Sequence, residues 1–494
     1  MKKSLLFSFL TLCSLMCLHF TIKAQSVKFN HTYGSMAYNF GKRIIETSDR
    51  GFYMMGNVSA VSGNTNISII KTDSLGIILS EKIIGDASLY WANDFIRTSD
   101  KGYLISGFTN KHPENGYDML LIKTDSNINI EWERYYGGSD WDIANAVIET
   151  KDNAYLMVGQ TYSYGAANGN IYMVKTNYLG DTLWTRTFGG DSSDYAMSAD
   201  VLFDSTYLIG ATTKSFGFGD YDAYVINLNK NGDTIWTKNY GQDKEDIIYS
   251  IKQSPDSGFV FVGSTTSYNA IQHEFWLMKF DKNKNLVWKM PQPWDIKPGD
   301  DVACNVNIDD SANLIIIGYS TSFGSGGKEL SFLLMGNNGS FIHSLTGGYG
   351  LNDMGYEAIQ TRDKGYVMIG TVEHDGIGLS HIYVIKIDKD YNFSPTTDNI
   401  LAVEKQNPDS YESFTGIYPN FSEGVYNLKL KENRSNETYN MVVTDLTGRS
   451  IFSEKINPSN SSSYQIDITN EASGVYFVTI FNNNYLFCTK IIKQ

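Results

Sequence analysis

A short apolar phrase that ends in glycine recurs along this chain at a nearly constant spacing. The copies include GFYMMG, GYLISG, AYLMVG and GYVMIG, and their last residues lie 51 to 55 positions apart. The seven glycines are Gly56, Gly107, Gly159, Gly210, Gly263, Gly318 and Gly370. A period of this length is typical of proteins built by stacking one small unit many times. The repeat therefore constrains the fold more than any other feature of the sequence.

Each unit contains four short apolar stretches separated by turn residues. In the third copy the stretches are ANAVIET, AYLMVGQT, IYMVKT and DTLWTRTF. Four strands in a repeat of about 50 residues are typical of a β-propeller blade. Abundant aromatic residues, 33 Tyr and 26 Phe, favour the same all-β class. The sequence predicts a seven-bladed β-propeller over residues 25–393.

The seventh unit is incomplete, and the beginning of the chain supplies what it lacks. The unit has three strands, while SVKFNHTYG, from Ser26 to Gly34, resembles the fourth strands IEWERYYGG and TLWTRTFGG. We therefore expect the N-terminal strand to complete the last blade and close the ring, which removes open sheet edges. Four of the fourth strands carry a tryptophan, which we expect to pack on a neighbouring blade rather than on a ligand. These are Trp132, Trp184, Trp236 and Trp288.

The connections of a propeller divide between two faces. The turns between strands one and two, and between strands three and four, lie on one face, here called the turn face. They are short, as in SDKG and NKNG, and we expect Asp or Asn to cap the backbone while Gly or Asn provides positive φ. The longer connections, between strands two and three and between blades, lie on the opposite face, here called the loop face.

Aromatic residues and carboxylates are concentrated on the loop face. Loops on a rigid scaffold are the usual place for binding sites, so these side chains are the candidate ligand contacts. The set is Tyr162, Tyr164, Phe216, Phe218, Tyr221, Asp140, Asp194 and Asp246. For the aspartates the alternative is structural: one recurs in blade after blade, as expected if each ties its loop to a backbone N–H.

The sequence contains no motif typical of catalysis, of a cofactor or of a metal. It lacks a Gly-x-Ser-x-Gly nucleophile turn, a phosphate-binding loop and a His-Glu-x-x-His motif. His374, Asp375 and His381 come nearest to a metal cluster, but their spacing fits no standard ligand pair. We therefore expect no cofactor and no metal. A glycosidase with two carboxylates stays open, because the acidic loop face offers many pairs and the sequence gives no distances.

The first 24 residues are typical of a secretory signal peptide, in which Lys2 and Lys3 precede an apolar stretch that ends near Ala24. A transmembrane segment is the competing interpretation, but the stretch is short for a span and no second one follows. Removal of these residues takes away three lysines and no acid, so the net charge changes from −14 to −17. Nucleic acid and anionic lipid are poor partners for so acidic a protein.

The period ends near Phe393, and a different pattern follows. Residues 394–413 are polar and contain proline, as expected of a linker, and residues 414–494 alternate in short strands that predict a small β-sandwich. The motifs IYPN, DLTGR, ASGVYFV and KIIKQ within it resemble those of the C-terminal sorting domain of type IX secretion. The positions that carry the resemblance are Tyr418, Pro419, Asn420, Gly448, Gly474, Tyr476 and Lys490. Phe421 departs from the family, which usually has a second proline after the asparagine.

The resemblance implies passage across the outer membrane through the type IX secretion machinery, then removal of the domain with attachment to the cell surface or release. Without it, the C-terminal sandwich would be interpreted as a binding or spacer module. The propeller resembles the uncharacterised repeat propellers of such proteins, a family that supplies no activity. We expect a secreted or cell-surface protein that binds a glycan or a protein on its loop face. A carbohydrate-active enzyme and a structural surface component are the alternatives.

Overall fold

The computed structural model describes residues 27–34, 38–59, 64–112, 116–268, 270–290, 299–322, 327–348, 352–373, 380–392, 400–401, 414–418, 421–422, 424–430, 438–445, 450–457, 463–482 and 485–493. Within these ranges the chain forms strands and turns and no helix. Seven sheets of at least four strands form the propeller that the repeat predicts, and two further sheets form the C-terminal domain. The predicted signal peptide, residues 1–24, lies outside the described residues.

The strands follow the repeat in chain order, and β1 (Phe29–Tyr33) precedes the first blade. Blade 1 consists of β2 (Tyr38–Glu46), β3 (Phe52–Ser59), β4 (Thr65–Thr72) and β5 (Ile78–Ile84), and blade 2 consists of β6 (Tyr90–Arg97), β7 (Tyr103–Thr109), β8 (Asp118–Thr124) and β9 (Ile130–Tyr136). Blade 3 consists of β10 (Asp142–Glu149), β11 (Tyr155–Thr161), β12 (Asn170–Thr176) and β13 (Thr182–Phe188). Blade 4 consists of β14 (Asp194–Val201), β15 (Tyr207–Thr213), β16 (Asp222–Leu228) and β17 (Thr234–Tyr240). Blades 5 and 6 consist of β18 (Asp246–Gln253), β19 (Phe259–Thr265), β20 (Glu274–Phe280) and β21 (Leu286–Met290), and of β22 (Asp301–Ile308), β23 (Leu314–Ser320), β24 (Glu329–Met335) and β25 (Phe341–Gly347). Blade 7 begins with β26 (Met354–Gln360), β27 (Tyr366–Glu373) and β28 (Ser380–Ile387).

The N-terminal strand closes the ring, as predicted. β1 pairs antiparallel with β28, with Phe29 opposite Lys386 and Tyr33 opposite Ile382, and so becomes the fourth strand of blade 7. Tyr33 is fully buried, and its hydroxyl donates to the carbonyl of Gly76 in blade 1 at 2.9 Å. Outside β1 lies a short parallel strand, β29 (Ile400–Leu401), within the predicted linker.

Burial explains why the strands have their compositions. β12 and β16 are buried at every position because neighbouring blades cover both faces, whereas β13 alternates between half-buried and exposed residues. The propeller core consists of seven apolar clusters, and each draws its residues from two adjacent blades. The blades are therefore held together by continuous apolar contact around the whole ring.

Each first strand, the innermost of its blade, carries one extra residue as a β-bulge. The bulged residues are Lys42, Asn93, Asn145, Met197, Tyr249, Cys304 and Tyr356. The glycine of the repeated phrase stands opposite the bulge: a Cβ on Gly159 would overlap the carbonyl oxygen of Ile143. Blade 4 differs from the sequence alignment, because Ala211 occupies this position and Gly210 lies one residue earlier. The repeat is thus even more regular than the glycines indicate.

Hydrogen bonds from the ends of the first strands tie one blade to the next on the turn face. The Glu149 carboxylate accepts from the backbone N–H of Ser99 in blade 2 at 2.7 Å. Glu46 of blade 1 accepts in the same way from the N–H of Arg362 in blade 7, at 2.9 Å. The contact between the last blade and the first therefore repeats the contact found inside the ring.

The turns between strands one and two share one arrangement. In blade 1 the Asp49 carboxylate accepts from the Thr47 hydroxyl and the Gly51 N–H. The positive φ lies on Arg50, at 65°, and not on the glycine as predicted. The glycine is needed for space instead, since a Cβ on Gly51 would overlap the carbonyl oxygen of Thr72.

A lysine on the third strand completes this turn in five blades. Lys123 is a representative: its side chain is 3% exposed, and its Nζ lies 2.8 Å from Asp100 and donates to the carbonyl of Thr124 at 2.9 Å. The five pairs are Lys71–Asp49, Lys123–Asp100, Lys175–Asp152, Lys279–Asp256 and Lys386–Asp363. Each ion pair connects the turn between strands one and two to the third strand of the same blade.

The tryptophans of the fourth strands pack on neighbouring blades, as predicted. Trp184 Nε1 donates to the carbonyl of Lys230 at 3.2 Å, and Trp288 Nε1 donates to that of Asn337 at 2.9 Å. Both acceptors lie in the turn between strands three and four of the next blade, so these indoles are structural.

The C-terminal domain consists of two sheets around one core. One sheet contains β30 (Phe414–Tyr418), β32 (Val425–Leu430) and β35 (Ser463–Asp467), and the other contains β31 (Phe421–Ser422), β33 (Tyr439–Asp445), β34 (Ser450–Ile456), β36 (Gly474–Asn482) and β37 (Tyr485–Lys493). Tyr426 and Ile466 of the first sheet share an apolar cluster with Met441, Val478 and Ile491 of the second. The predicted β-sandwich is present.

Candidate functional site

The loop face of blades 3 and 4 presents large apolar side chains to solvent. The exposed fractions are 76% for Phe218, 43% for Phe216 and 41% for Tyr164, all three predicted as ligand contacts. Trp141 is 50% exposed and was not predicted as a ligand contact, because in the sequence it lies in a short acidic loop. The predicted residues Tyr162 and Tyr221 are half-buried. These six side chains are called the aromatic patch below.

Hydrogen bonds fix the loop that carries the aromatic residues of blade 3. The Thr161 hydroxyl accepts from the backbone N–H groups of Ser163 and Tyr164, at 3.0 and 3.2 Å. The Tyr164 hydroxyl donates to the carbonyl of Gly137 at 2.7 Å, and its ring centroid lies 5.2 Å from that of Tyr172. One face of Tyr164 is therefore packed, which holds the ring in place at the surface.

Blade 4 uses the same arrangement with phenylalanine in place of tyrosine. Thr213 accepts from the N–H of Phe216 at 3.2 Å, and the ring of Phe216 lies 5.6 Å from that of Tyr224. The Asp222 carboxylate accepts from the N–H of Phe218 at 2.7 Å and thereby shapes the tip of the loop. Both loops begin with the sequence Thr-x-Ser-aromatic-Gly, so the repeat itself encodes this geometry.

The predicted aspartates occupy two different environments. Asp140 is exposed, and its side chain accepts from the N–H of Trp141 at 2.8 Å. Asp194 is fully buried, where it accepts from the Ser215 hydroxyl at 2.6 Å and the Gly190 N–H at 2.9 Å. Asp246 is also fully buried and makes the equivalent bonds in blade 5. Asp194 and Asp246 therefore do not reach solvent, and their contacts position the loops instead.

Burial changes the electrostatics of several aspartates near the loop face of the propeller. It raises the pKa of the carboxyl groups of Asp142, Asp222 and Asp246, while hydrogen bonds from hydroxyl and N–H groups work in the opposite direction. Asp222 and Asp246 face each other across Gly241 and are 1% and 0% exposed. A pair so enclosed has no access to a polysaccharide, so it does not provide the acid and base of a glycosidase.

A chain of aromatic rings connects the patch with the centre of the propeller. Successive ring centroids lie between 5.1 and 6.4 Å apart along Phe40, Trp91, Phe108, Tyr117, Trp141 and Tyr162. Phe40 and Trp91 belong to the first strands of blades 1 and 2, so the chain runs across the loop face. Such contacts between rings stabilise this surface and keep it rigid.

Polar groups lie between the aromatic rings. The loop that joins blades 3 and 4 connects the two halves of the patch, because Asn168 donates to the carbonyl of Asp191 at 2.8 Å and the Ser192 N–H donates to Ser215 at 3.1 Å. The Lys214 ammonium pairs with Asp220 and lies 5.0 Å from the ring centroid of Tyr221. The patch thus offers charged and amide groups beside flat apolar surfaces.

The three residues that come nearest to a metal cluster in the sequence are only partly described by the structure. His381 is buried on β28, and His374 and Asp375 lie outside the described residues. In the part of the chain that the structure describes, no three His, Cys, Asp or Glu side chains are grouped so that they could hold a metal ion.

The predicted sorting positions fall on three strands of the C-terminal domain. Tyr418 ends β30, Gly474 and Tyr476 lie in β36, and Lys490 of β37 is paired with Phe477. Tyr476 is buried, and its hydroxyl donates to the carbonyl of Ala472. Pro419, Asn420 and Gly448 lie outside the described residues.

Comparison with solved structures finds matches at low sequence identity, one of which is a β-propeller domain. Sqt1 from Chaetomium thermophilum is 12% identical, with a TM-score of 0.43, over 70% of this chain and 82% of that one. The β-propeller domain of the Trilobed protease from Pyrococcus furiosus is 10% identical, with a TM-score of 0.40, over 73% and 98%. The acylaminoacyl peptidase of Pyrococcus horikoshii is 9% identical, with a TM-score of 0.42, over 80% and 58%. Similarity at this level carries no argument about function.

Comparison with curated proteins finds no match. No helix able to cross a membrane is found among the residues that the structure describes. Residues 416–494 match the model of the secretion system C-terminal sorting domain, in agreement with the motifs identified in the sequence. The chain therefore carries a type IX sorting tail and is exported across the outer membrane, to the cell surface or the medium.

Proposed function

We propose that the propeller is a binding protein, delivered by type IX secretion, that takes a glycan or a protein ligand on its loop face. The observation that carries the proposal is the aromatic patch, in which Trp141, Tyr164, Phe216 and Phe218 are all at least 41% exposed. Large apolar groups that are exposed together on a rigid, polar-rimmed surface mark interaction sites.

A glycan suits this surface better than an extended apolar partner does. The rings of Trp141 and Tyr164 are fixed by their packing, so they can stack on the apolar face of a sugar at little cost in side-chain entropy. Asp140 directly precedes Trp141, and Asn168 lies in the loop that carries Tyr164, so the carboxylate can accept hydrogen bonds from sugar hydroxyl groups and the amide can donate to them. Buried Asp194 and Asp246 serve as positioning residues for these loops.

The proposal is tested by binding measurements on a glycan array and by pull-down from extracellular polysaccharide. We expect Trp141→Ala, Tyr164→Ala and Phe218→Ala each to weaken binding about tenfold or more, because truncation of an anchoring aromatic residue costs about 1–3 kcal/mol. Tyr178→Ala is the matched control, since Tyr178 is 61% exposed but belongs to a turn-face connection. Tyr221→Ala tests the half-buried edge of the patch.

The outcomes distinguish the alternatives. Binding that all three variants leave unchanged would remove the aromatic patch from the site. Capture of a protein and not of a glycan, with the same dependence on Trp141 and Phe218, would keep the site and change the ligand. Turnover of a polysaccharide that is abolished by Asp140→Asn would identify a carbohydrate-active enzyme.

A further inference from the structure

The centre of the propeller contains a cavity that is separate from the aromatic patch. It has a volume of about 370 Å³ and is lined by the first strands of all seven blades, from the bulges to the ends of the strands on the turn face. The bulged residues Met197 and Tyr249 form part of its inner wall, and Arg97 lies exposed at its outer end. No residue of the aromatic patch lines it, so the two sites face opposite sides of the ring.

The lining of this cavity is charged, and most of its charges are already paired. Arg43 Nε donates to Asp94 at 2.7 Å, and the Lys252 ammonium lies 3.6 Å from Asp200. Asp94 also accepts from the backbone N–H of Val147 at 3.0 Å, so its hydrogen-bonding capacity is largely used. These pairs leave Glu357 as the acid of the inner lining without a lysine or arginine bonded to it.

Glu357 and its neighbour Asn305 each bring a side-chain acceptor to this cavity. One oxygen of Glu357 accepts from the N–H of Ile44 at 2.7 Å, and no donor among the described residues is bonded to the other. Asn305, at the equivalent position of the adjacent first strand, has a buried Oδ1 atom without a hydrogen-bond partner. Buried acceptors in native proteins are almost always paired, so the unpaired Oδ1 of Asn305, beside the half-buried carboxylate of Glu357, points to a ligand that brings donors.

We propose that this central cavity binds a small organic cation, a primary amine or a guanidinium compound, whose charged head bonds Glu357 and Asn305. Such a head supplies several N–H donors and a positive charge that can bond directly to the Glu357 carboxylate. The ring of Tyr249 offers a surface for a cation–π contact. The cavity lies at the lower end of the volumes of small-molecule sites, about 300–1,000 Å³, so it suits a metabolite rather than a polymer.

The electrostatics of Glu357 make the binding dependent on pH. Burial raises the pKa of its carboxyl group to about 7, although the Arg43 guanidinium and the Ile44 N–H favour the ionised form. The other groups that face it are Asp94 of β6, which disfavours ionisation, and Lys252 of β18. Because the ionised carboxylate binds a cation more strongly, affinity should rise as the pH increases from 6 to 8.

The experiment is calorimetric titration of the full chain with agmatine, which carries an amine and a guanidinium group, and with citrate as an anionic comparison. We expect saturable binding of one agmatine and no binding of citrate. Glu357→Gln and Asn305→Leu should each weaken agmatine binding at least tenfold. Glu245→Gln, a loop-face residue that does not line the cavity, should bind as the unaltered protein does.

Circular dichroism and melting temperature establish that each variant is folded before its affinity is compared. Agmatine binding that survives Glu357→Gln and Asn305→Leu in folded protein would overturn the proposal. Absence of saturable agmatine binding at pH 8, or binding of citrate in its place, would also overturn it. The aromatic patch variants should leave agmatine binding unchanged, so this proposal and the glycan proposal fail independently.

Discussion

Single residues explain why the repeated phrase ends as it does. The glycine is required because the bulge in the first strand pushes a carbonyl group toward the second strand, and a Cβ there would overlap it at Gly107, Gly159, Gly263 and Gly318. The period could be predicted from the sequence, but the bulge could not, since an extra residue in a strand leaves no compositional mark. Ala211 shows that one blade accommodates a methyl group at this position.

We expect Gly159→Ala to lower the free energy of unfolding by about 1–3 kcal/mol, the usual cost of forcing atoms into a packed site. The matched control is Gly347→Ala at the end of β25, where an added Cβ would meet only Ile385 Cδ1, at 3.5 Å. Denaturant unfolding of the two variants measures the difference. Equal stability of the two variants would show that the first and second strands can accommodate a methyl group at this position without loss of stability, as in blade 4, which has Ala211.

At the scale of elements, the turns between strands one and two are small electrostatic units. The sequence predicted that Asp caps these turns, but not the lysine that pairs with it, because that lysine lies on another strand and reads as one polar residue in an apolar stretch. The hydrogen bond from Thr47 lowers the pKa of Asp49 to about 2, assisted by Lys71. At Asp256 burial opposes the change, but hydrogen bonds, foremost that from Lys279, lower the pKa as well.

These turns should make the propeller sensitive to acid. A carboxyl group with a lowered pKa in the folded state contributes stability above its unfolded value of about 3.9 and loses it as the pH falls through the folded value. We therefore expect the melting temperature to fall between about pH 4 and pH 2, and to fall less steeply in Asp256→Asn, measured by differential scanning calorimetry. Asp204→Asn is the control, because blade 4 has Asn227 at the position where five other blades have the lysine. Parallel curves for both variants would contradict this origin of the acid sensitivity.

At the scale of the whole molecule, the propeller is a closed ring, and this closure determines which features of its sites could be predicted from the sequence. The number of blades and the closing strand follow from the period, because each blade has the same four strands. The central cavity and the chain of aromatic rings could not be predicted from the period. Glu357 interacts with Arg43, and Phe40 contacts Trp91, only because the ring brings different repeats together. The exposed members of the patch could be found because they lie in long loops, while Trp141 was hidden in a short acidic one.

Closure itself is testable by removing β1. Deletion of residues 27–34 exposes the edge of β28 and the cluster that Phe29 and Tyr33 share with Phe52 and Ile369. Truncation of a buried aromatic residue costs about 3–5 kcal/mol, so loss of two should consume most of the margin of about 5–15 kcal/mol that a domain has. We expect the truncated chain to associate or unfold near ambient temperature, as measured by size-exclusion chromatography and thermal melting. A synthetic peptide of residues 26–34 should restore the monomer and raise the melting temperature of the truncated chain. The same peptide with Phe29→Asp and Tyr33→Asp is the control and should do neither, because both side chains are buried in the ring. The prediction is contradicted if the truncated chain has the melting temperature of the full chain and the peptide does not change it. Six complete blades and an open seventh would then be sufficient for a stable propeller.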